Sequence, residues 1–205
     1  INDDGEVLAG SAIATNPEKI ISAMKDKSVR DTLMTATFRY ADGIGVVVTL
    51  SRKLKKQIQR IPVCELWEAI MEKCGQTNTS VFLVGASSKV LLDTQDKLQK
   101  EYRVNICGAH DGYFQDENDV IDEIVSKRPK VVTVALGSPK QEYFISKCQK
   151  RHPDAFYMGV GGSYDVYTDN VKRAPEFFRK LNLEWFYRLA AQPTRFKRQV
   201  NLLNY

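Results

Sequence analysis

The sequence is poor in the residues that build metal and disulfide sites. It has only two histidines, His110 and His152, too few for a histidine-based metal centre. Its four cysteines, Cys64, Cys74, Cys107 and Cys148, include no CxxC pair. That spacing, in a chain long enough to bury a real core, argues against a zinc site or a disulfide framework. It points to reduced thiols in a cytoplasmic protein. No apolar run approaches the roughly 20 residues needed to span a bilayer. GxxxxGK[ST] and a strand-to-helix GxGxxG are absent, which removes the P-loop and the dinucleotide fingerprint. No DxD-like acid pair is present to hold a metal–diphosphate, and "GVGGSYD" is not a GxSxG elbow. No repeat or low-complexity stretch occurs, and no signal peptide is visible, although the chain opens on Ile1 rather than Met.

What is present is ordinary in bulk and uneven in detail. The 205 residues suit one domain, or one domain with an appendage. Hydrophobic and charged fractions of 43% and 27% fit a globular protein. The net charge of +5 belongs to one end. Residues 171–205 hold Lys172, Arg173, Arg179, Lys180, Arg188, Arg195, Lys197 and Arg198 against Glu176 and Glu184. Seven of the 20 aromatic residues fall there too, so this end is both basic and aromatic. The division expected is a body over 1–170 and a helical appendage over 171–205.

Within the body, short apolar runs alternate with helical patterns. Strands are expected at 11–15, 81–85, 104–108, 130–137 and 155–162. Helices are expected at 16–26, 64–75, 88–102, 117–128 and 138–151. The basic segment 51–60 reads as a solvated face. This alternation predicts an α/β fold, Rossmann-like, with a mostly parallel sheet and helices on both faces.

Ligands of such sheets bind at the carboxyl ends of the strands. Here those ends read "VGASS", "CGAHDGYF", "ALGSPKQE" and "GVGGSYD", so Gly85, Gly137, Gly161 and Gly162 are candidates for close backbone approach. Two helix starts, Asn16-Pro17 and Ser138-Pro139, pair a capping residue with proline. Free N–H groups there favour an anion such as a diphosphate. Gln141 fits either a capping box with Ser138 or a ligand contact. His110-Asp111 fits a turn better than a dyad. Asp42, in "YADGIG", fits either an Asp-Gly turn or an acid/base group.

Taken in order, "ATNPEKI", "YADGIGVV", "VFLVG", "DGYF", "VALGSPKQE", "YMGVGGSYDV", "VKRAPEFFRKLNLEWFYRL" and "QPTRFKRQ" resemble the WecG/TagA/CpsF glycosyltransferases from about residue 11 to 205. The resemblance implies a membrane-associated bacterial enzyme that needs no metal or cofactor and inverts the anomeric centre. "LWE", "VNI" and "HPDAFYMGVGGSYDVY" are most similar to the WecG branch. That branch implies transfer of N-acetylmannosaminuronic acid from a UDP donor to undecaprenyl-diphosphate-GlcNAc, for enterobacterial common antigen. UDP-ManNAc or another hexose is the alternative donor; a uronic acid donor needs a cation for its carboxylate, and Arg39, Arg60 and Lys140 are the candidates.

The resemblance implies Asp42 as general base, with Gly43 beside it. It implies substrate contacts at Asn16, Lys140 and Gln141, and at the appendage arginines Arg173 and Arg188. Two departures stand out. Ala14 replaces a Thr of teichoic-type members, and Val63-Cys64-Glu65-Leu66 replaces GxDL, which leaves Glu65 without an assigned role. Family sequence upstream of Ile1 is expected. The expected partners are the sugar donor, a polyprenyl-diphosphate-GlcNAc acceptor and the inner face of the cytoplasmic membrane. That membrane contact is peripheral, through Trp185, Phe186, Tyr187, Phe196 and the basic residues. A homo-oligomer is compatible with the pattern. A nucleic-acid-binding α/β protein and a non-catalytic nucleotide-sugar sensor are the rival classes. A near-neutral body without an RNA-binding motif speaks against nucleic acid.

Overall fold

In the computed structural model, the residues described are 1–172, 174, 175, 177 and 178. Strand β1 (Gly10–Thr15) opens the sheet and leads into α1 (Pro17–Lys25) and α2 (Lys27–Thr35). Then come β2 (Phe38–Ala41), α3 (Ile44–Leu54), α4 (Val63–Gln76), β3 (Ser80–Gly85) and α5 (Ser88–Tyr102). The chain continues through β4 (Asn105–His110), α6 (Glu117–Lys127), β5 (Val131–Ala135), α7 (Lys140–Arg151), β6 (Phe156–Gly159) and α8 (Ser163–Tyr167). The six strands form one sheet in the order β2-β1-β6-β5-β3-β4, and every neighbouring pair is parallel.

Period-2 alternation divides the strand side chains between two cores. Val81, Leu83 and Val131 point to a face covered by Trp67 and Met71 of α4, Leu91 and Leu98 of α5, and Tyr164 of α8. Phe82, Val84, Val132 and Val134 point to the other face, under Ile121 and Ile124 of α6 and Phe144 and Ile145 of α7. Helix α2 packs on α7 and so shares that second face. Crossovers that move towards β4 use the first face, and those that move towards β2 use the second. That pattern is a single handedness throughout, as parallel βαβ units require.

Capping chemistry sets the helix boundaries. The Asn16 side chain accepts from Lys19 N–H at 2.8 Å, with Pro17 at the first helical position. Asp26 ends α1 and starts α2, accepting from Ser28 and Val29 N–H. Helix α7 corrects one expectation. It begins at Lys140 rather than Ser138, with Pro139 in the cap position and no side-chain cap. The Ser138–Gln141 capping box does not form because Gln141 turns inward.

Four elements were not anticipated. Strand β2 is a short edge strand with two exposed residues, so it has little apolar alternation. Helix α2 is a polar helix that buries only Val29 and Thr32. Helix α3 contains the run "VVVTL" and part of the basic segment, and α8 is five residues long. The appendage beyond Phe178, with Arg188 and the aromatic residues from Trp185 on, lies outside the described residues, as does Arg173.

Candidate active site at the carboxyl edge of the sheet

Every strand ends at the same edge, but the helices that follow do not all turn the same way. Strand β6 sends α8 to the first face, while its neighbours β1 and β5 send α1 and α7 to the second. The chain separates there, and such divergence is where open parallel sheets bind ligands.

On the β1–β2 side, the parallel register pairs Thr15 with Ala41. Asn16 and Asp42 are therefore the first residues past two adjacent strands. Asp42 and Gly43 N–H both donate to Thr15 O, at 3.1 and 3.4 Å. Gly43 has no room for a side chain, since a Cβ would come within 2.7 Å of Pro17 Cδ. Arg60 closes the group. Its Nε donates to Asp42 O at 2.5 Å, and Nη2 lies 3.4 Å from Asp42 Oδ1. Both side chains are 21% exposed, so the carboxylate is held yet reachable.

Beneath them, Tyr40 Oη is buried with no hydrogen-bond partner. Burial, followed by the nearby Asp42 charge, pushes its phenol well above the ordinary range, so it stays protonated. Ala14 is buried opposite Tyr40 and offers no polar group.

The β6–β5 side is built from main chain. Gly161 has φ +54° and Gly137 φ +74°, a region that favours glycine, and a Cβ at either would meet nothing within 4 Å. The same open space lies over Gly162. Gly85 is different. Its φ is +111°, and a Cβ would fall 2.5 Å from the Ala135 backbone. Gly85 is therefore required by strand packing, not by an open approach.

Gln141 holds this backbone in place. Its Oε1 accepts from Gly161 N–H at 3.0 Å, and its Nε2 donates to Glu142 Oε1 at 3.1 Å. Glu142 Oε1 also meets Lys19 Nζ at 2.7 Å, with the two side chains 1% and 4% exposed. One buried chain of groups thus ties α1, α7 and the Gly161 turn together. Glu142 Oε2 is buried without a partner. Gln141 itself is 4% exposed, so it reaches the edge through Gly161 rather than as an open amide.

The remaining sites fall around this frame. Lys140 is exposed at the start of α7, and Glu65 is exposed in the first turn of α4. His110 Nδ1 lies 3.0 Å from Asp111 O, and the ring packs edge-on against Phe114. Asp111 accepts from Ser88 Oγ and from Tyr113 N–H. Those bonds hold its carboxyl below the usual range, as in a turn. Arg39 is committed to the Leu33 and Met34 carbonyls.

The described cysteines are all free thiols, and burial pushes Cys74 and Cys148 up to about 12. Among the described residues, no three His, Cys, Asp or Glu side chains cluster in a way that would hold a metal ion. No helix there is long and apolar enough to cross a membrane.

Sequence reasoning gave no role to Lys19 or Glu142. It weighed Arg60 only as one of several cations for a sugar carboxylate. The signal for Glu142 was a charged residue in the buried stripe of α7, between Gln141 and Phe144. Arg60 left no local signal, because a loop brings it back to Asp42.

A parallel, Rossmann-like α/β sheet defines the class: an open α/β scaffold whose ligands bind at the carboxyl edge. The sequence model of the Glycosyl transferase WecG/TagA/CpsF family matches residues 4–205, nearly the whole chain. The chain belongs to that family and is a glycosyltransferase, acting on a sugar donor and an acceptor.

Proposed function

We propose that this enzyme moves N-acetylmannosaminuronic acid from UDP to undecaprenyl-diphosphate-GlcNAc with inversion, in bacterial surface polysaccharide (enterobacterial common antigen) synthesis. The observation that carries the reading is Asp42. It is a reachable carboxylate, held by Arg60, at the end of a strand beside an open glycine edge.

Asp42 accepts the proton of the acceptor 4-hydroxyl as that oxygen attacks the anomeric carbon of the donor. The hydroxyl becomes acidic only as the new bond forms, so a carboxylate suffices, and such help is worth ~10²–10⁴-fold. The departing diphosphate lies along the Gly137, Gly161 and Gly162 backbone, near Asn16 and Lys140. Oriented N–H groups and cations stabilise the charge that grows there. Arg173 and Arg188, carried over from the family resemblance, complete that set from the appendage. The lipid acceptor calls for peripheral attachment to the inner membrane face.

A second reading, with neutral UDP-ManNAc or another hexose as donor, is favoured by the engagement of two cations. Arg39 is bound to backbone carbonyls and Arg60 to Asp42. Of the three candidate cations, that leaves Lys140 for a uronic carboxylate. A panel of UDP-sugars offered with a prenyl-diphosphate-GlcNAc analogue, with products identified by mass, separates the readings. Product from the uronic acid donor alone supports the first, and product from ManNAc alone supports the second. No product from any donor sinks both.

A further inference from the structure

Residues 43–64 contain five cations, Arg52, Lys53, Lys55, Lys56 and Arg60, and no Asp or Glu. Half of this segment is α3, whose apolar stripe runs Val46, Val47, Leu50, Leu54 at helical spacing. The stripe leaves its cover part-way along. Val46 and Val47 are buried at 3% and 8%, whereas Leu50 and Leu54 are exposed at 36% and 56%. Val48 and Ile61 add further exposed apolar surface.

The basic end is a formed turn. Lys55 adopts φ +50°, Lys56 N–H donates to Ser51 O, and Ile58 N–H donates to Ser51 Oγ. No carboxylate among the described residues pairs with Arg52, Lys53, Lys55 or Lys56. The face is tied to the site at both ends. Helix α3 starts two residues after Asp42, at Ile44 with Gly43 in the cap position, and Ile61 N–H donates to Ala41 O.

From this we infer that α3 and its following turn dock on an anionic lipid leaflet, with Leu50 and Leu54 entering the interface and the cations meeting headgroups. The inference rests on the reading above, in which the acceptor is borne by a membrane. Charge decides between occupants. Residues 179–205 carry six cations against Glu184, so like charge argues against that segment as the occupant. A second copy seated face to face would also set cations against cations. A nucleic acid would satisfy the cations but would leave Leu50 and Leu54 without a role. An anionic bilayer satisfies both, because apolar side chains enter the acyl boundary while Lys and Arg snorkel to headgroups. The base would then stand beside the surface from which a lipid-linked sugar projects.

The test is flotation of the full chain with vesicles of phosphatidylcholine, with and without phosphatidylglycerol. Three variants are compared with wild type: K53Q/K55Q/K56Q, L50S/L54S and, in the appendage, K197Q/R198Q. Wild type floats with the anionic vesicles. The lysine variant loses on the order of a hundredfold in partitioning, since each cation near an anionic leaflet counts about fivefold. The leucine variant loses roughly tenfold or more, with circular-dichroism melting unchanged for both.

Wild-type flotation by either α3 variant overturns the inference and leaves the proposed reaction standing. Loss in the lysine variant alone marks a plain polyanion surface and also overturns it. So does a change of sedimentation coefficient in the leucine variant, which would mark a second copy as the occupant. Failure of wild type to float overturns both the surface and the membrane attachment proposed above. Transfer to a water-soluble acceptor analogue tests the transferase separately.

Discussion

The two halves of the carboxyl edge are made differently. On the β1–β2 side the chemistry stands on side chains: Asp42 and Arg60, part exposed, with Asn16 adjoining. On the β5–β6 side it stands on backbone, Gly137, Gly161 and Gly162, with its polar side chains buried behind it. A proton must be taken by a group that can change charge, and only a side chain does that. A diphosphate needs fixed donors and close approach, and backbone gives both. Under the reaction proposed above, that difference suits the acceptor to one half and the donor phosphates to the other.

The largest expected effect falls on the side-chain half. Asp42→Asn should cut turnover by ~10²–10⁴-fold while the melting curve stays in place. A variant that turns over at near-wild-type rate would remove Asp42 as base. Next comes Gly85→Ala, which should compromise folding itself, because φ +111° and the Ala135 backbone at 2.5 Å leave no place for a methyl group. Soluble expression and the cooperativity of thermal unfolding measure it.

Glu142→Gln comes third. It strands the Lys19 ammonium in a buried place, at a cost of about 3–5 kcal/mol. In a chain of this size that lowers the melting temperature by roughly 10 °C. Lys19→Met with Glu142→Leu should recover much of the stability, since paired apolar replacements remove both desolvation costs. Recovered stability without recovered activity would show that the chain of polar groups positions the Gly161 turn.

The smallest effect is the most telling for the comparison. Gly162→Ala meets no atom and sits at φ −86°, so stability should hold. If the open space is the donor's, the added methyl should raise the donor KM roughly tenfold or more. An unchanged KM would move the diphosphate elsewhere.

These variants also mark what a sequence can and cannot disclose. "KVVTVALG" and "ENDVIDEIVSKR" announced β5 and α6 because continuous burial and a helical stripe leave their own periods. Strand β2 left none, because an edge strand of four residues with Phe38 and Arg39 exposed has almost no buried face. Helix α3 was hidden by β-branched valines whose helical spacing shows only once Leu50 and Leu54 are counted. Asp42 stood out through its neighbours in an ordered motif series. Gln141 stood out as well, but its two open readings, cap or ligand contact, both missed the Gly161 N–H, 20 residues away. Partnerships of that range depend on which loops the sheet order brings together, and no local pattern encodes them.

The Lys19–Glu142–Gln141 chain also restricts how this edge can be redesigned. Two helices and one turn share a single buried arrangement of ammonium, carboxylate and amide. A change that reshapes the Gly161 turn for a different sugar has to preserve that order or replace all three residues together. Single steps would pass through an uncompensated charge. The backbone half of the edge is thus a unit whose buried partners have to change together. Asp42 and Arg60 lie outside that chain and form a separate pair.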